Sequence, residues 1–232
     1  MTETLYIASR NVHLVFGTVA LLTFWLQIAR RKGGPGHRRW GFVYAGSMAG
    51  VLVSSLPMIA IGLQRGETVI GLFLGFLTLI TFGAGVDALR ASRHRSSGAW
   101  MRDGWTMAIT ALIGAYSVLL VVLFAQTKVV LLLVMAGVGF AGVAEALVKR
   151  KPGRPYVWWV EHVNGTLATG IAVHVAFLSF GMRGLFGFGG FSVWTFLTPI
   201  AAAQLASVYF RRRFAGGADG AKEKALAKGI VV

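Results

Sequence analysis

Residues 105–148, WTMAITALIGAYSVLLVVLFAQTKVVLLLVMAGVGFAGVAEALV, contain two apolar runs separated only by Gln126, Thr127 and Lys128. Each run is about 20 residues long, which at 1.5 Å of rise per residue is enough for a helix to cross the hydrocarbon core of a bilayer. Three polar residues suit a tight hairpin between two antiparallel helices. The stretch therefore predicts two membrane-spanning helices joined at one face of the membrane.

The rest of the chain continues this pattern. Of its 232 residues, 56% are hydrophobic and only 13% are charged, and the mean hydropathy is +0.68. In soluble domains, by contrast, about a quarter of all residues are charged. We predict an all-α fold, a polytopic membrane bundle of seven helices in a single domain over residues 1–214, followed by a basic, flexible cytoplasmic tail at 215–232. The predicted spans are residues 11–29, 41–63, 69–89, 105–126, 129–148, 158–181 and 193–210.

The basic residues predict the orientation of the helices. Nineteen of the 23 lysine and arginine residues lie in alternate connections and the tail, and only Arg10, Arg65, Lys128 and Arg183 lie in the other connections. Cytoplasmic loops carry such an excess. We therefore expect a multi-pass protein of the bacterial inner (cytoplasmic) membrane, with its N-terminus outside and its C-terminus inside. No A-x-A-like site follows the first run, so we expect a retained helix.

The formal charge of +15 is spread over these connections. Because basic residues beside spanning helices attract acidic lipids, the expected partner is a bilayer with anionic headgroups at the cytoplasmic face, and not nucleic acid. The chain has no cysteine, which excludes thiolate metal ligands and iron–sulfur clusters. Any metal would depend on histidine or carboxylate.

Two motifs near the N-terminus resemble a known family. The stretch 13–21, HLVFGTVAL, has the pattern H-x-x-x-G-x-x-A-L, and residues 37–44, HRRWGFVY, have the pattern H-R-x-x-G-x-x-Y. Together they resemble an uncharacterised bacterial family of multi-helix membrane proteins with a domain of unknown function. The resemblance covers about residues 8–95, and a second patch, Trp159 to Gly165, is similar to the later part of longer members. It implies a membrane fold and no particular reaction.

Ionisable groups inside a membrane are candidate functional residues. His13 lies on the predicted first helix, on a stripe with Gly17, Ala20, Phe24 and Gln27. His174 lies in the predicted outer half of the sixth helix, where the two imidazoles could approach each other. We predict that they either bind a haem, a metal or a quinone, or lie at the interface and hydrogen-bond to the backbone or to each other.

A second group of candidates lies towards the cytoplasmic side. Glu161 and His162 open the sixth helix, and His162 shares a face with the small residues at 165, 169, 172 and 176, so we expect it to point into the bundle. His37 precedes the second helix. His37 and His162 are the inner candidates for haem or quinone, and Glu161 with His162 for a metal.

Two other acidic residues have nearby basic partners. Asp87 has Arg90 three residues later, and Glu145 has Lys149 four residues later, spacings that favour structural pairs on a helix surface.

The sequence favours a non-enzymatic integral membrane protein, such as an accessory or sensor subunit with membrane-protein partners, because its polar residues do not form a recognisable catalytic set.

Two alternatives stay open. One is a transmembrane redox protein with haem b or quinone bound by paired histidines. His162 and His174 are separated by 12 residues, which gives about 18 Å of rise but an offset of about 120° around the helix. The other is a membrane-embedded zinc hydrolase.

Overall fold

The computed structural model describes residues 2–187 and 192–214 of the chain, and these residues form helices without any β-strand. Seven of the helices are long and apolar enough to cross a membrane, which confirms the predicted seven-helix membrane bundle. The helices are α1 (Thr2–Ala29), α2 (Pro35–Gln64), α3 (Thr68–Arg93), α4 (Gly104–Thr127), α5 (Val130–Lys149), α6 (Trp158–Ala176), the short α7 (Met182–Phe186) and α8 (Val193–Phe214). A 3-10 helix, Ala99–Arg102, precedes α4, and a π-helix, Phe177–Gly181, extends the sixth span.

Several helices extend beyond the predicted spans. Helix α1 begins at Thr2 and not at residue 11, α2 begins at Pro35, and α8 continues to Phe214. Hydropathy marks only the apolar part of a helix, while backbone hydrogen bonds continue into polar turns. Pro35 occupies the first turn of α2, where its missing N–H group leaves no hydrogen bond unmade. The predicted tail at 215–232 lies outside the described residues.

The hairpin predicted between α4 and α5 is confirmed. Lys128, the single connecting residue with a left-handed backbone, has a φ of 57°. Its N–H group donates to the Phe124 carbonyl oxygen at 2.8 Å, which closes the C-terminus of α4. Val129 then leads directly into α5.

Helix α6 packs closely against α3, which it contacts along much of its length. Gly165 makes this possible, because a Cβ atom there would lie 2.7 Å from the Ala84 carbonyl oxygen and 2.9 Å from the Ala88 nitrogen. Thr169 and Ala172, on the same face, are buried. The predicted packing role of this small-residue face is therefore confirmed.

The connections that carry most of the basic residues meet at one end of the bundle, which we call the basic end. Here α1, α3, α5 and α8 end, and α2, α4 and α6 begin. Contacts across it include Lys149 of α5 with Glu161 of α6, Trp159 of α6 with Phe214 of α8, and Lys32, after α1, over the Phe210 ring.

Candidate functional site at the basic end

A network of ion pairs joins the helices at the basic end. The Lys149 ammonium group lies 2.7 Å from a Glu145 carboxylate oxygen and 2.6 Å from a Glu161 carboxylate oxygen. The first pair lies within α5 and was predicted from its spacing. The second links α5 to α6, and both of its side chains are at least four-fifths buried. One lysine therefore fixes the start of α6 against the end of α5.

Arg90 has a different partner from the predicted Asp87. Its guanidinium group donates to the Asp103 carboxylate and, at 3.0 Å, to the Thr106 hydroxyl group. Asp103 also accepts a hydrogen bond from the Thr106 backbone N–H group at 2.8 Å and so caps α4. The Arg90 hydrogen bond, followed by these Thr106 bonds, lowers the pKa of Asp103 well below its usual range. The spacing rule failed for Asp87 because the α3–α4 turn brings a better acceptor to Arg90.

A polar cavity of about 230 Å³ lies beside this network, between the 3-10 helix and the α5–α6 connection. Two of its basic side chains have partners: Arg102 donates to the Arg150 carbonyl oxygen at 3.2 Å, and Lys149 pairs with the carboxylates of Glu145 and Glu161. The Tyr156 hydroxyl group donates to the His94 carbonyl oxygen at 2.8 Å, and burial raises its pKa. These groups stabilise the fold of the connections.

Glu161 and His162, the predicted metal pair, have different partners. Glu161 pairs with Lys149, whereas the His162 Nδ1 atom lies 3.0 Å from the Ala88 carbonyl oxygen of α3. Among residues 2–187 and 192–214, no group of three His, Asp or Glu side chains is placed to hold a metal ion. The geometry therefore gives the zinc-hydrolase alternative no support.

His37 and His162, by contrast, lie together. Their ring centroids are 6.4 Å apart, and the ring planes are nearly perpendicular. The His37 Nδ1 atom lies 3.0 Å from the Gln27 carbonyl oxygen at the end of α1. Because a backbone carbonyl can only accept, Nδ1 carries the proton in both rings. When these imidazoles are neutral, each Nε2 atom keeps a lone pair.

Gln27 contributes an unused donor to the same region. Its side chain is only 5% exposed, and its Nε2 atom has no hydrogen-bond partner among the described residues. Its Oε1 atom faces Gly41, one turn along α2 from His37. The helical stripe placed Gln27 on the packed face of α1, but it could not show that the amide would lack a partner there.

Lys32 lies at the edge of this region. Its ammonium group donates to the carbonyl oxygens of Gln27 and Ile28, at 3.2 and 2.8 Å, and thereby caps the C-terminus of α1. Burial lowers its pKa. The Lys32 charge therefore lies beside the same Gln27 carbonyl oxygen that accepts from His37.

A hydrogen bond links α2 to α6 on the membrane side of the histidines. The Tyr44 and Thr169 hydroxyl oxygens are 2.8 Å apart, and both residues are buried. Each residue lies seven positions after the histidine of its own helix, a rise of about 10 Å. The bond therefore links α2 to α6 about 10 Å along the helix axes from the two imidazoles.

The other predicted pair, His13 and His174, is not brought together. The His13 Nδ1 atom lies 3.1 Å from the Val51 carbonyl oxygen and 3.2 Å from the Ser54 hydroxyl oxygen. His174 contacts Trp25, which lies 12 residues after His13 on the same helix, about 18 Å further along its axis. The two imidazoles therefore lie at different depths.

His174 also uses both of its ring nitrogens. Nδ1 lies 2.7 Å from the Gly170 carbonyl oxygen, and Nε2 accepts a hydrogen bond from the Trp25 indole at 3.1 Å. No lone pair is left for a ligand. The hydrogen-bonding role predicted as the alternative for this residue is what the structure supports.

Comparison of the chain with protein-family models, with curated proteins and with solved structures finds no match. The resemblance to an uncharacterised bacterial family stays a prediction. The functional argument depends on the residues of this chain alone.

Proposed function

We propose that this membrane protein is a non-enzymatic accessory or sensor subunit of a larger membrane assembly. The observation that carries the proposal is the use of its ionic side chains as links between helices. Lys149 joins α5 to α6 through Glu161, and Arg90 joins α3 to the start of α4 through Asp103. Charged groups near a membrane interior are either functional or paired, and these are paired.

Purification in mild detergent tests this role. We expect the tagged protein, expressed at its native level, to elute from size exclusion with stoichiometric membrane-protein partners. A variant in which Lys149 is replaced by Met should lose the link between α5 and α6 and with it the partners, whereas the exposed Lys151→Met substitution should keep both. An isolated monomer with turnover of its own would contradict the proposal.

The proposal includes a location in the bacterial inner membrane with the basic end at the cytoplasmic face, next to anionic headgroups. The distribution of lysine and arginine supports this orientation. Because the chain has no cysteine, single cysteines can report it. In spheroplasts, an impermeant maleimide should label Gln126→Cys at the α4–α5 hairpin and leave Ser96→Cys at the basic end unlabelled. The opposite pattern would reverse the orientation.

One observation favours a second function, that of a redox protein linked to haem or quinone. It is the proximity of His37 and His162, whose second ring nitrogens accept no hydrogen bond from the described residues. An absorption spectrum tests the haem version. Protein from haem-supplemented cells should show a Soret band that disappears in His162→Asn and survives in His174→Asn. A wild-type protein without that band would exclude haem.

A further inference from the structure

We propose that the space between His37, His162 and Gln27 binds the head group of a quinol. This inference gives the sensor function proposed above a ligand and depends on that function only for its biological meaning. The argument begins with the hydrogen-bonding capacity that the protein itself leaves unused.

The two imidazoles offer acceptors. Each holds its Nδ1 proton on a backbone carbonyl oxygen, that of Gln27 at 3.0 Å and that of Ala88 at 3.0 Å. Such bonds fix the orientation of a ring and leave Nε2 able to accept. Both rings are half-buried, so a ligand can reach them from the basic end without opening the bundle.

Gln27 offers the complementary group. Burial of an amide N–H group without a partner costs free energy. A ligand atom that accepts a hydrogen bond from the Gln27 amide would remove this cost. A quinol hydroxyl group donates to an imidazole Nε2 atom and accepts from an amide at the same time. The head group therefore matches both kinds of unused capacity.

The surroundings select this ligand over a metal ion. Lys32 shares the Gln27 carbonyl oxygen with His37, and its positive charge there opposes a bound cation. The Tyr44–Thr169 hydrogen bond joins α2 to α6 about 10 Å along the helix axes from the imidazoles, a spacing that suits a single ring better than a macrocycle. The apolar side chains of Ile28, Val163 and Phe210 pack nearby and suit the start of an isoprenoid tail.

The two redox forms should bind unequally. A quinone carries only acceptors and can bond to Gln27 but not to the Nε2 lone pairs, whereas a quinol also donates. At least one hydrogen bond is lost on oxidation, so we expect the quinol to bind about tenfold more tightly than the quinone. This preference would let the protein respond to the reduction state of the quinone pool.

Anaerobic titration calorimetry of the purified full chain with decylubiquinol, and separately with decylubiquinone, tests the inference. We expect one saturable site, the quinol preference, and a loss of affinity of at least about tenfold in His37→Asn, His162→Asn and Gln27→Leu. The matched controls are His94→Asn, in an exposed connection, and Gln204→Leu, on the exposed face of α8. Both should bind like the wild type.

Gln27→Leu separates lost binding from lost folding. Replacing an unpartnered buried amide with a leucine of similar size should raise the Tm of the free protein while it lowers the Tm gain given by quinol. Absence of saturable quinol binding by the wild type, or equal affinity in all variants, would overturn the site. Catalytic oxidation of bound quinol would support the site and contradict the non-enzymatic function. Co-purification of partners by a protein that does not bind quinol would overturn the site and support the non-enzymatic function.

Discussion

The region around His174 and the region around His37 and His162 use the same residue type in opposite ways. His174 holds its own helix carbonyl at 2.7 Å with Nδ1 and receives the Trp25 indole proton on Nε2 at 3.1 Å. His37 and His162 also use Nδ1 for a carbonyl, but their Nε2 atoms accept no hydrogen bond from the described residues. The difference shows that a half-buried histidine is a candidate binding residue only when its hydrogen-bond partners leave one ring nitrogen able to bond to a ligand.

The largest effect is expected from breaking the ion pair beside His162. Lys149→Met leaves the Glu161 carboxylate, 15% exposed, without its cation. We expect a loss of about 2–3 kcal/mol of unfolding free energy, somewhat less than for a fully buried pair. Titration with SDS in mixed micelles measures it. The exposed Lys151→Met is the control, and an equal loss in both variants would show that Lys149 has no special role.

The next effect concerns the packing that positions His162. Gly165→Ala would drive a methyl group into Ala84 and Ala88 of α3, which cannot move without distorting that helix. We expect a loss of about 1–3 kcal/mol and a weaker His162 contact with α3, because the two helices must separate. Gly142→Ala has open space around it and should cost nothing. Equal stability of the two variants would contradict the close α3–α6 packing.

A smaller effect should follow at the other histidine. His174→Phe removes the acceptor of the Trp25 indole and should cost about 1 kcal/mol. Trp25→Phe removes the same bond from the donor side. A double-mutant cycle in the same micelles should therefore give a coupling energy of about 1 kcal/mol, with quinol affinity unchanged by either substitution. Additive single effects would show that the hydrogen bond contributes nothing.

The smallest effect is expected from the surface pair at the start of α4. The Arg90 hydrogen bond lowers the pKa of Asp103 in the folded protein, so the pair stabilises the fold above the ordinary aspartate pKa of about 4. This contribution is lost as pH falls further. The wild type should lose more stability than Asp103→Asn between pH 5 and pH 3, as followed by circular dichroism, to about the extent of one surface pair. Parallel curves would contradict the linkage.

The sequence predicted the local features of this protein well. Glu145 and Lys149 pair as their spacing indicates, and the small residues Gly165, Thr169 and Ala172 of α6 are buried as predicted. Both depend on residues of one helix, whose relative positions follow from helix geometry. Arg90 was assigned to the wrong partner, because Asp103 reaches it through a turn that spacing along α3 does not describe.

The pairing of histidines depended on the tertiary structure for the same reason. Residue spacing within a helix places His162 and His174 relative to each other. Their partners Ala88, His37 and Trp25 lie on α3, α2 and α1, and no pattern in the sequence shows where along α6 these helices pack. The unused amide of Gln27 is likewise invisible in sequence, because satisfaction of a buried polar group depends on every neighbouring chain segment.

By itself, the sequence determined seven helices long and apolar enough to cross a membrane, since the length of an apolar run and its low charge are properties of each segment independently. Only the tertiary structure decided which polar groups became helix links and which kept free hydrogen-bonding capacity. Hydrophobicity acts on each residue wherever it stands in the chain, whereas a hydrogen bond requires two atoms within about 3 Å, and that distance exists only after the helices have packed.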